Sequence, residues 1–429
     1  MPSDTHIAVI GAGAAGLTAA IFAAETRPDL NVVIIDSARK IGAKILVSGG
    51  GRCNVTNESV TTKDFHAPPR IVERVLKRFN EQDTVRWFES MEVPLKQELT
   101  GKLFPTSNKS QSVLNALRRR CEELGVIIKS GHHVTRVTKE KQQFSIHTER
   151  GIISADRIIM STGGKSLPKS GSDGTGWTIA RQLGHTVTPC YPALVPLILH
   201  HTFFHKSLSG SSHEATITTT INGKTVDRRT GSLLWTHFGV SGPVIMDASR
   251  FWIIGEAQGL HTTLSISFLP EYTFQAIDQW LSPDQHHTHR KSLGSLLGHK
   301  VPQRVVRALC AYVETEHSKT SSNQATERDL ASTSIGQVSR QHRRQLAHAL
   351  SGLSLPVIGS RGWNFAEVTA GGIPLKEINA NTMGSRKIPG LYFVGEMLDC
   401  DGRIGGYNFQ WAWSTGYIAG SNAGKELRA

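Results

Sequence analysis

The segment from His6 to Gly16, HIAVIGAGAAG, decides the fold of this 429-residue chain. Its apolar residues Ile7–Ile10 predict a short buried strand, and the spacing Gly11-x-Gly13-x-x-Gly16 follows at the end of that strand. The Ala-rich residues 14–27 then predict a helix. This order of strand, glycine turn and helix is typical of a dinucleotide-binding unit, in which the N-terminus of the helix faces the pyrophosphate.

Asp36 supports the same interpretation because it closes the second predicted strand, residues 31–35. A carboxylate at this place accepts hydrogen bonds from the ribose of the adenosine half, and it disfavours a 2′-phosphate. The glycine motif and this acid together predict a bound dinucleotide, but they do not distinguish NAD from FAD.

Three further glycine-rich segments lie far from the first in the sequence. Residues 48–54 read SGGGRCN, and residues 162–164 read TGG. Near the end, residues 390–396 (GLYFVGE) predict a strand followed by a glycine turn, and GGYN follows at residues 405–408. We expect this last strand and turn to return to the nucleotide, so that both ends of the chain hold one cofactor.

The charge balance is basic, with 48 Lys and Arg against 35 Asp and Glu and a formal net charge of +13. Such a charge favours anionic ligands, including dinucleotide phosphates, acidic substrates, RNA and an anionic membrane surface. A solvated basic surface with no specific partner is the alternative. The longest basic cluster, residues 118–120, falls on a predicted helix whose apolar positions leave the arginines facing outward or sideways.

The cysteines and histidines predict no metal centre. Five scattered cysteines without a Cys-x-x-Cys pair argue against a disulfide framework, a zinc site and a redox-active disulfide, and they predict a cytoplasmic location. His286, His287 and His289 have no carboxylate or cysteine at a useful spacing, so we expect a solvated loop there. The apolar residues 7–24 could suggest a signal peptide, but their glycines have the dinucleotide-motif spacing and no basic region precedes them. No other stretch has 18 apolar residues, so we expect no membrane span.

The pattern of predicted elements divides the chain into four segments. Residues 1–190 are the first part of an α/β nucleotide-binding domain, and residues 354–429 return to it. Between them we expect an inserted β domain at 191–271, in which Asn222-Gly223 predicts a type I′ hairpin. A helical inserted domain follows at 272–353.

Two of the glycine segments resemble motifs of glutathione-reductase-type flavoproteins. Residues 388–396 (IPGLYFVGE) are similar to the second FAD fingerprint of that superfamily, with Glu396 where an aspartate is commoner. The turn Thr162-Gly163-Gly164 resembles its middle motif, where the chain passes near the adenosine half of the flavin. The resemblance implies that the dinucleotide is FAD.

Four longer segments resemble a narrower family, the BaiN/RdsA-like bacterial NAD(P)/FAD-dependent oxidoreductases, which include proteins labelled aminoacetone oxidase. They are residues 42–54, 233–243, 367–372 and 405–413. The resemblance runs nearly end to end and implies a Rossmann-like FAD domain interrupted by a β-barrel-like domain and a small helical domain. The chain departs from the family pattern at residues 382–386 (TMGSR) and at Arg403, where a small or uncharged residue is more usual.

The resemblance and the glycine motifs together give a set of predicted cofactor-binding residues. In chain order they are Gly11, Gly13, Ala14, Ala15, Gly16, Asp36, Ser37, Lys44, Ser48, Gly49, Gly50, Gly51, Arg52, Cys53, Asn54, Val134, Thr162, Gly163, Gly164, Gly395, Glu396, Gly405, Gly406, Tyr407 and Asn408.

The predicted catalytic candidates are Arg52, His237 and Arg403. Arg52 provides a charge beside the flavin, with an ion pair that holds its loop as the alternative. His237 is a candidate proton donor, with a satisfied structural histidine as the alternative. Arg403 is a candidate for binding an anionic substrate or stabilising reduced flavin. For Cys53, a thiol activated by Arg52 competes with a packed, inert thiol.

These residues predict an FAD-dependent oxidoreductase that passes hydride through flavin N5. The reductant is NAD(P)H, and the acceptor is a small organic substrate or oxygen. Since only one convincing dinucleotide turn is present, we expect the nicotinamide to dock transiently. Under this hypothesis the partners include neither a membrane nor a nucleic acid. An RNA-binding or tRNA-modifying flavoprotein is the alternative function, and a flavin-binding regulator without turnover is a third.

Overall fold

The computed structural model describes residues 5–285, 290–320 and 329–427. The described α-helices, in chain order, are α1 (Ala14–Thr26), α2 (Ala43–Gly51), α3 (Pro69–Leu76), α4 (Glu81–Ser90), α5 (Ser110–Glu123), α6 (Thr175–Gln182), α7 (Pro243–Ala257), α8 (Phe274–Trp280), α9 (Leu293–Leu297), α10 (Gln303–Thr320), α11 (Arg340–Gly352) and α12 (Tyr407–Lys425).

The described strands are β1 (Ile7–Ile10), β2 (Val32–Asp36), β3 (Thr56–Asn57), β4 (Phe65–His66), β5 (Leu95–Gln97), β6 (Lys102–Pro105), β7 (Ile127–Ser130), β8 (Val134–Glu140), β9 (Gln143–Thr148), β10 (Gly151–Ala155), β11 (Arg157–Met160), β12 (Tyr191–Ala193), β13 (Leu197–Leu199), β14 (Ser212–Ile221), β15 (Lys224–Thr236), β16 (Gly239–Ser241), β17 (Thr262–Ser267), β18 (Leu353–Leu355), β19 (Val357–Ser360), β20 (Val368–Ala370), β21 (Ile378–Asn379), β22 (Gly384–Ser385), β23 (Leu391–Phe393) and β24 (Asp401–Gly402).

The chain divides into two compact units, one formed by residues up to Pro192 and from Trp363 onward, the other by Ala193–Gly362. The second unit contains the segments in which we expected the β-barrel-like and helical insertions. It also continues past the boundary predicted at residue 353, because β19 pairs with β13 in the sheet of that unit.

A seven-stranded sheet with the order β21-β22-β23-β11-β1-β2-β7 forms the centre of the first unit. The five strands from β23 to β7 are parallel, and β21 and β22 are antiparallel additions at one edge. All four residues of β1 are buried, as expected for a parallel strand covered on both faces. The carboxyl ends of β1, β11 and β23 therefore lie side by side, which brings together glycine segments distant in sequence.

Close packing of α1 against α12 joins the two ends of the chain. Gly416 and Gly420 lie one turn apart on α12, facing Ala15 and Ala19 of α1. A Cβ added at Gly416 would lie 2.7 Å from the backbone oxygen of Ala15, and one at Gly420 would collide with that of Ala19. Only glycine at these positions allows the two helix backbones to approach this closely.

Two consecutive strands join different sheets. β10 ends at Ala155 and β11 begins at Arg157. The first pairs with β9 in a three-stranded antiparallel sheet, and the second joins the central sheet between β1 and β23. Asp156 is therefore the point at which the chain passes from one sheet to the other.

The second unit contains a seven-stranded sheet with the order β18-β17-β14-β15-β16-β13-β19. Its longest pair, β14 and β15, turns at Asn222 and Gly223, whose φ angles of 49° and 79° fit the predicted type I′ hairpin. The two outermost strands, β18 and β19, are consecutive in the chain and separated only by Pro356. The adjacent ends of the two edge strands, Leu355 and Val357, are therefore close together, as a barrel-like sheet requires.

Helices α8 to α11 cover part of the second unit and share its hydrophobic core with the sheet. Leu297, Val306, Leu309 and Leu346 are fully buried in this core together with Ile266 of β17. Among the described residues, no helix is both long enough and apolar enough to span a membrane.

Candidate functional site

The turn between β1 and α1 has the geometry of a pyrophosphate-binding loop. Gly11 has a φ of 108°, and a Cβ there would lie 2.6 Å from the backbone oxygen of Ser161 in the neighbouring segment after β11. A Cβ at Gly16 would collide with the oxygen of Gly11. A Cβ at Gly13 would meet no protein atom within 4 Å, so the protein itself does not require glycine there. A pyrophosphate bound close to the backbone at the start of α1 would explain the glycine, because it would leave no room for a side chain.

Asp36 lies at the carboxyl end of β2, beside this turn. Its Oδ2 accepts a hydrogen bond of 2.6 Å from the backbone N–H of Ala12, and its Oδ1 accepts one of 2.7 Å from Ala38. These bonds hold the carboxylate against the glycine turn. Each oxygen has a further lone pair, as the predicted contact to an adenosine ribose needs.

A polar cluster around Glu396 connects distant segments of the first unit. The carboxylate accepts hydrogen bonds from Lys44 Nζ at 2.6 Å, from Ser166 Oγ at 2.9 Å and from the backbone N–H of Thr369 at 2.9 Å. Lys44 also donates to Ser166 Oγ at 2.8 Å. The cluster is largely buried, since 25% of the Lys44 side chain and 22% of the Glu396 side chain are exposed.

Two opposing effects set the protonation state of Glu396. Burial disfavours the charged form, but the charge of Lys44 and the hydrogen bonds from Lys44, Ser166 and Thr369 together lower the pKa of Glu396 below its usual value. Glu396 is therefore ionised at neutral pH, and Lys44 compensates the buried negative charge.

The middle motif lies directly against this cluster. A Cβ at Gly164 would lie 2.7 Å from Glu396 Oε1 and would collide with Thr369 Oγ1. Gly163 has a φ of 75°, and Thr162 Oγ1 contacts the sulfur of Met397 at 3.2 Å. The turn thus needs glycine at two positions to fit beside the carboxylate.

Gly395 brings the C-terminal motif to the N-terminal one. Its φ is 65°, and a Cβ there would lie 2.8 Å from the Cβ of Ala15 in the first turn of α1. Its backbone N–H and oxygen are held by Thr415 Oγ1 and Trp411 Nε1 of α12. The structure therefore brings together residues predicted from opposite ends of the sequence.

Residues 48–54 form a turn of unusual backbone conformation within and after α2. Gly49, Gly50, Gly51 and Cys53 all have φ between 55° and 83°. Such left-handed residues turn the backbone sharply and suit glycine. Cys53 is buried, and burial raises the pKa of its thiol to about 12, which favours the packed, inert thiol over an activated one.

Arg52 is engaged by its own surroundings. Its Nη1 lies 2.5 Å from Glu98 Oε1, and its guanidinium lies 4.1 Å from the centroid of the Phe104 ring. Of its side chain, 39% is exposed. The ion pair is the alternative that we gave for this residue, and a role for Arg52 beside the flavin stays a prediction.

Polar contacts fix the loop before α12. Asn408 Oδ1 accepts from the backbone N–H of Gly402 at 2.8 Å, and its Nδ2 donates to the oxygen of the same residue at 2.7 Å. Asn57 Nδ2 donates to the oxygen of Gly405 at 3.0 Å, and a Cβ at Gly406 would lie 2.6 Å from the oxygen of Thr56. The GGYN motif therefore lies against the segment that follows residues 48–54.

Arg403 projects from this loop in a fixed orientation. Its Nε donates to Asp64 Oδ1 at 2.7 Å, and its Nη2 donates to Tyr407 Oη at 2.9 Å. The Asp64 side chain is 7% exposed, whereas 41% of the Arg403 side chain is exposed. Arg403 therefore presents a fixed, partly exposed positive charge two residues before Gly405 and Gly406, which precede α12.

The residues present fit the FAD that the motifs imply. Asn54 Oδ1 is buried and has no hydrogen-bond partner within the described protein, although buried polar atoms are almost always paired. The N-terminus of α1 has no side-chain cap and no acidic residue in its first turn, so its N–H groups suit a pyrophosphate. An unpaired amide oxygen beside the turn of left-handed residues suits a hydroxyl or N–H donor of the cofactor.

The other predicted site residues have these positions. Val134 is buried at the start of β8, two residues after His132, whose N–H donates to the oxygen of Asp36. Ser37 Oγ lies 3.9 Å from where a Cβ on Gly171 would stand. His237 is exposed in the turn between β15 and β16 of the second unit, and its predicted role as a proton donor stays a prediction.

The structure also shows site residues that the sequence pattern did not reveal, namely Ser166, Thr369, Asn57 and Asp64. Asn57, Asp64 and Ser166 are common polar residues outside the quoted motifs, so nothing in their immediate sequence distinguishes them. Thr369 lies in the family-like segment 367–372, but that segment does not indicate a contact with Glu396. The described part of the chain contains no group of three or more His, Cys, Asp or Glu suited to a metal ion. His286, His287 and His289 lie outside the described residues.

Comparison with known proteins identifies the family. The profile of the HI0933-like protein Rossmann domain matches residues 5–422. The chain is 31% identical over 419 residues to the 3-dehydro-bile acid delta(4,6)-reductase of Clostridium scindens, covering 97% of this chain and 98% of that protein. It is 32% identical over 412 residues to the ribosomal RNA dihydrouridine synthase of Escherichia coli, covering 95% of each.

Among solved structures, a quinol–fumarate reductase with menaquinol molecules aligns at a TM-score of 0.51 and 14% identity, covering 99% of this chain and 71% of that one. This likeness shows the fold alone. The family match and the named relatives establish a Rossmann-type FAD-binding fold and a flavin-dependent oxidoreductase. The chain belongs to the HI0933-like family of Rossmann-fold flavoproteins.

Proposed function

We propose that this flavoprotein reduces a carbon–carbon double bond conjugated to a carbonyl group, with NAD(P)H as the reductant. The names of two relatives support this reaction. One denotes reduction of the delta(4,6) bonds of a 3-dehydro bile acid, and the other denotes formation of dihydrouridine. Dihydrouridine is uridine with its ring double bond, which is conjugated to a carbonyl, reduced. The two substrates differ greatly in size, but the reacting group is the same.

The observation that carries the proposal is the convergence of motifs from both ends of the chain on one site. The start of α1 would bind the pyrophosphate, and Asp36 the adenosine ribose. The Lys44–Glu396 cluster would hold the middle of the cofactor. The glycine turn at residues 48–54 and the loop at residues 403–406 would contact the flavin. FAD, when bound there, supplies a ring that accepts hydride from a nicotinamide and delivers it to the substrate.

Arg403 would assist the substrate half of the reaction. When hydride adds to a double bond conjugated to a carbonyl, negative charge develops on the carbonyl oxygen. A cation already fixed by Asp64 and Tyr407 needs no reorganisation to stabilise that charge. In the same reaction NAD(P)H is oxidised to NAD(P)+, one carbon receives the hydride, and the other receives a proton.

The nicotinamide would dock transiently, because the sequence has one convincing dinucleotide turn and FAD would take it. A cytoplasmic location provides NAD(P)H and agrees with the cysteines. All five are free, and burial raises the pKa of Cys53, Cys121 and Cys310 to about 12 and that of Cys190 to about 11. Such thiols do not form disulfides readily.

Anaerobic stopped-flow mixing tests this function. The FAD-loaded protein is mixed with NADH or NADPH and the flavin absorbance is followed, with dithionite as the positive control for reduction. We expect at least one nucleotide to bleach the flavin and an α,β-unsaturated ketone or a uridine nucleotide to restore its absorbance. If dithionite bleaches the flavin and neither nucleotide does, the proposed reductant is wrong, and the regulator without turnover becomes the better hypothesis.

A second candidate is an RNA substrate, as in our alternative hypothesis of an RNA-modifying flavoprotein. Two relatives at 32% identity are named ribosomal RNA dihydrouridine synthases, and the net charge of +13 suits a polyanion. Incubation of unmodified ribosomal RNA with the protein and NAD(P)H, followed by mass spectrometry of the nucleosides, tests it. Appearance of dihydrouridine supports RNA modification. Its absence, when the same sample reduces an unsaturated ketone, leaves a small molecule as the substrate.

A further inference from the structure

Aromatic rings and cations lie together on the helical part of the second unit. Lys300 Nζ donates a hydrogen bond of 2.6 Å to Tyr272 Oη, and it lies 4.6 Å from the centroid of the Tyr272 ring and 5.7 Å from that of Trp280. The guanidinium of Arg344 lies 5.8 Å from the centroid of the Phe274 ring. These residues come from α8 and the segment just before it, from α11 and from the segment before α10, so no contiguous sequence motif reveals them.

His348 extends the same arrangement. Its ring stacks on Phe274, with a centroid distance of 4.2 Å and an angle of 29°. Lys300, Arg344 and His348 are exposed, whereas the rings of Tyr272, Phe274 and Trp280 are half-buried against the core. We call these six residues the basic–aromatic surface. The three rings pack against the core, and the exposed cations lie beside them.

The basic cluster visible in the sequence is a weaker candidate for binding a polyanion. On α5, Arg119 pairs with Glu92 at 3.0 Å and Glu123 at 3.7 Å, and Arg120 pairs with Glu25 at 2.7 Å. These carboxylates neutralise much of the charge that residues 118–120 would present to a ligand. Lys300 instead contacts neutral aromatic rings, which orient a cation without neutralising it.

We infer that the basic–aromatic surface binds a single-stranded segment of nucleic acid, an inference that rests on the RNA substrate proposed above. Lysine and arginine match the backbone phosphates, and unpaired bases stack on aromatic rings, on histidine rings and on guanidinium planes, of which His348 and Arg344 are the exposed examples here. A duplex keeps its bases stacked on one another, so the rings gain little from it. An acidic protein would pair with the cations but would offer the rings no bases.

Fluorescence anisotropy with a labelled single-stranded oligouridylate tests the inference on the full-length FAD-loaded protein. The variant Lys300→Glu/Arg344→Glu reverses both exposed cations without opening the core. We expect its affinity to fall by tenfold or more, and the slope of log K against log salt to decrease by about 1.4, or about 0.7 for each lost phosphate contact. Lys300→Arg keeps the charge and should bind nearly as the unchanged chain does.

Arg118→Glu is the matched control, because it reverses an exposed arginine outside the basic–aromatic surface. We expect it to bind the oligouridylate as tightly as the unchanged chain, and all variants to keep the same flavin reduction by NAD(P)H. The inference is overturned if the unchanged chain does not bind, if Arg118→Glu weakens binding as much as the double variant, or if duplex RNA or polyglutamate competes equally well. If the oligouridylate binds but NAD(P)H does not reduce the flavin, the proposed reductase is refuted and the inference about this surface is not.

Discussion

Replacing Lys44 by methionine tests the polar cluster that joins the two ends of the chain. In the structure, Glu396 accepts a 2.6 Å bond from Lys44, together with bonds from Ser166 and the N–H of Thr369. Lys44→Met keeps a side chain of similar length but removes the charge. The largely buried carboxylate of Glu396 then accepts hydrogen bonds from neutral donors only.

The structure sets the size of the effect. Removing one partner of a buried ion pair costs about 3–5 kcal/mol, because the remaining charge is uncompensated. About a quarter of each side chain is exposed, so we expect a loss of about 3 kcal/mol in the free energy of unfolding at pH 7. Since 1.4 kcal/mol is a factor of ten, the folded-to-unfolded ratio should fall by a factor of about 100.

The pH dependence of the lost unfolding free energy shows whether the uncompensated charge of Glu396 causes it. In the unchanged chain the pKa of Glu396 is lowered, so its stabilising contribution is present above its ordinary pKa near 4.5 and is lost as the pH falls through the folded-state pKa. Without Lys44, only the hydrogen bonds from Ser166 and Thr369 oppose burial, which is the largest single effect, so we expect the pKa of Glu396 to be raised. A raised pKa favours the folded variant at low pH and penalises it as the pH rises. The variant should therefore approach the stability of the unchanged chain as the pH is lowered from 7 towards 5.

Urea unfolding of the cofactor-free protein at pH 7 and pH 5, followed by tryptophan fluorescence, measures the effect. The double variant Lys44→Met/Glu396→Gln is the control, because it removes both charges and should recover much of the loss. The reasoning is refuted if Lys44→Met costs less than about 1 kcal/mol at pH 7, or if its cost is the same at both pH values.

Two further changes test other parts of the structure. Gly420→Ala would place a methyl group against the backbone oxygen of Ala19, so we expect a loss of about 1–3 kcal/mol in urea unfolding, whereas Gly352→Ala, whose Cβ meets nothing within 4 Å, should be neutral or stabilising. Arg403→Met should lower the flavin reduction potential by about 30 mV, since a lost cation disfavours the reduced flavin, and Arg403→Lys should restore part of it. Equal stabilities of the two alanine variants would contradict the close helix packing, and an unchanged potential would place Arg403 away from the flavin.

The N-terminal fold could be predicted because local pattern and tertiary role agree there. The apolar run Ile7–Ile10, the spacing of Gly11, Gly13 and Gly16, and the acid at Asp36 each have one structural interpretation, and the structure shows the corresponding strand, turn and strand end. The Asn222-Gly223 hairpin was predictable for the same reason, because both residues tolerate a positive φ.

The contacts of the site could not be predicted because they depend on residues far apart in sequence. Nothing local to Ser166 or Thr369 indicates that both donate to Glu396. The sequence could not decide between an ion pair and a flavin contact for Arg52, because an arginine suits both. The structure shows the ion pair with Glu98. The change of sheet at Asp156 could not be predicted either, because strand propensity does not specify which sheet a strand joins.

FAD binding by the unchanged chain and by Gly13→Val tests the central claim, that one FAD is held between the two ends of the chain. Gly13 has an ordinary φ of −83°, and a side chain there meets no protein atom, so the variant should fold normally. Titration of the cofactor-free proteins with FAD should show one FAD per unchanged chain and little or none bound by the variant. Failure of the unchanged chain to bind FAD, or equal binding by a folded Gly13→Val, would contradict the account.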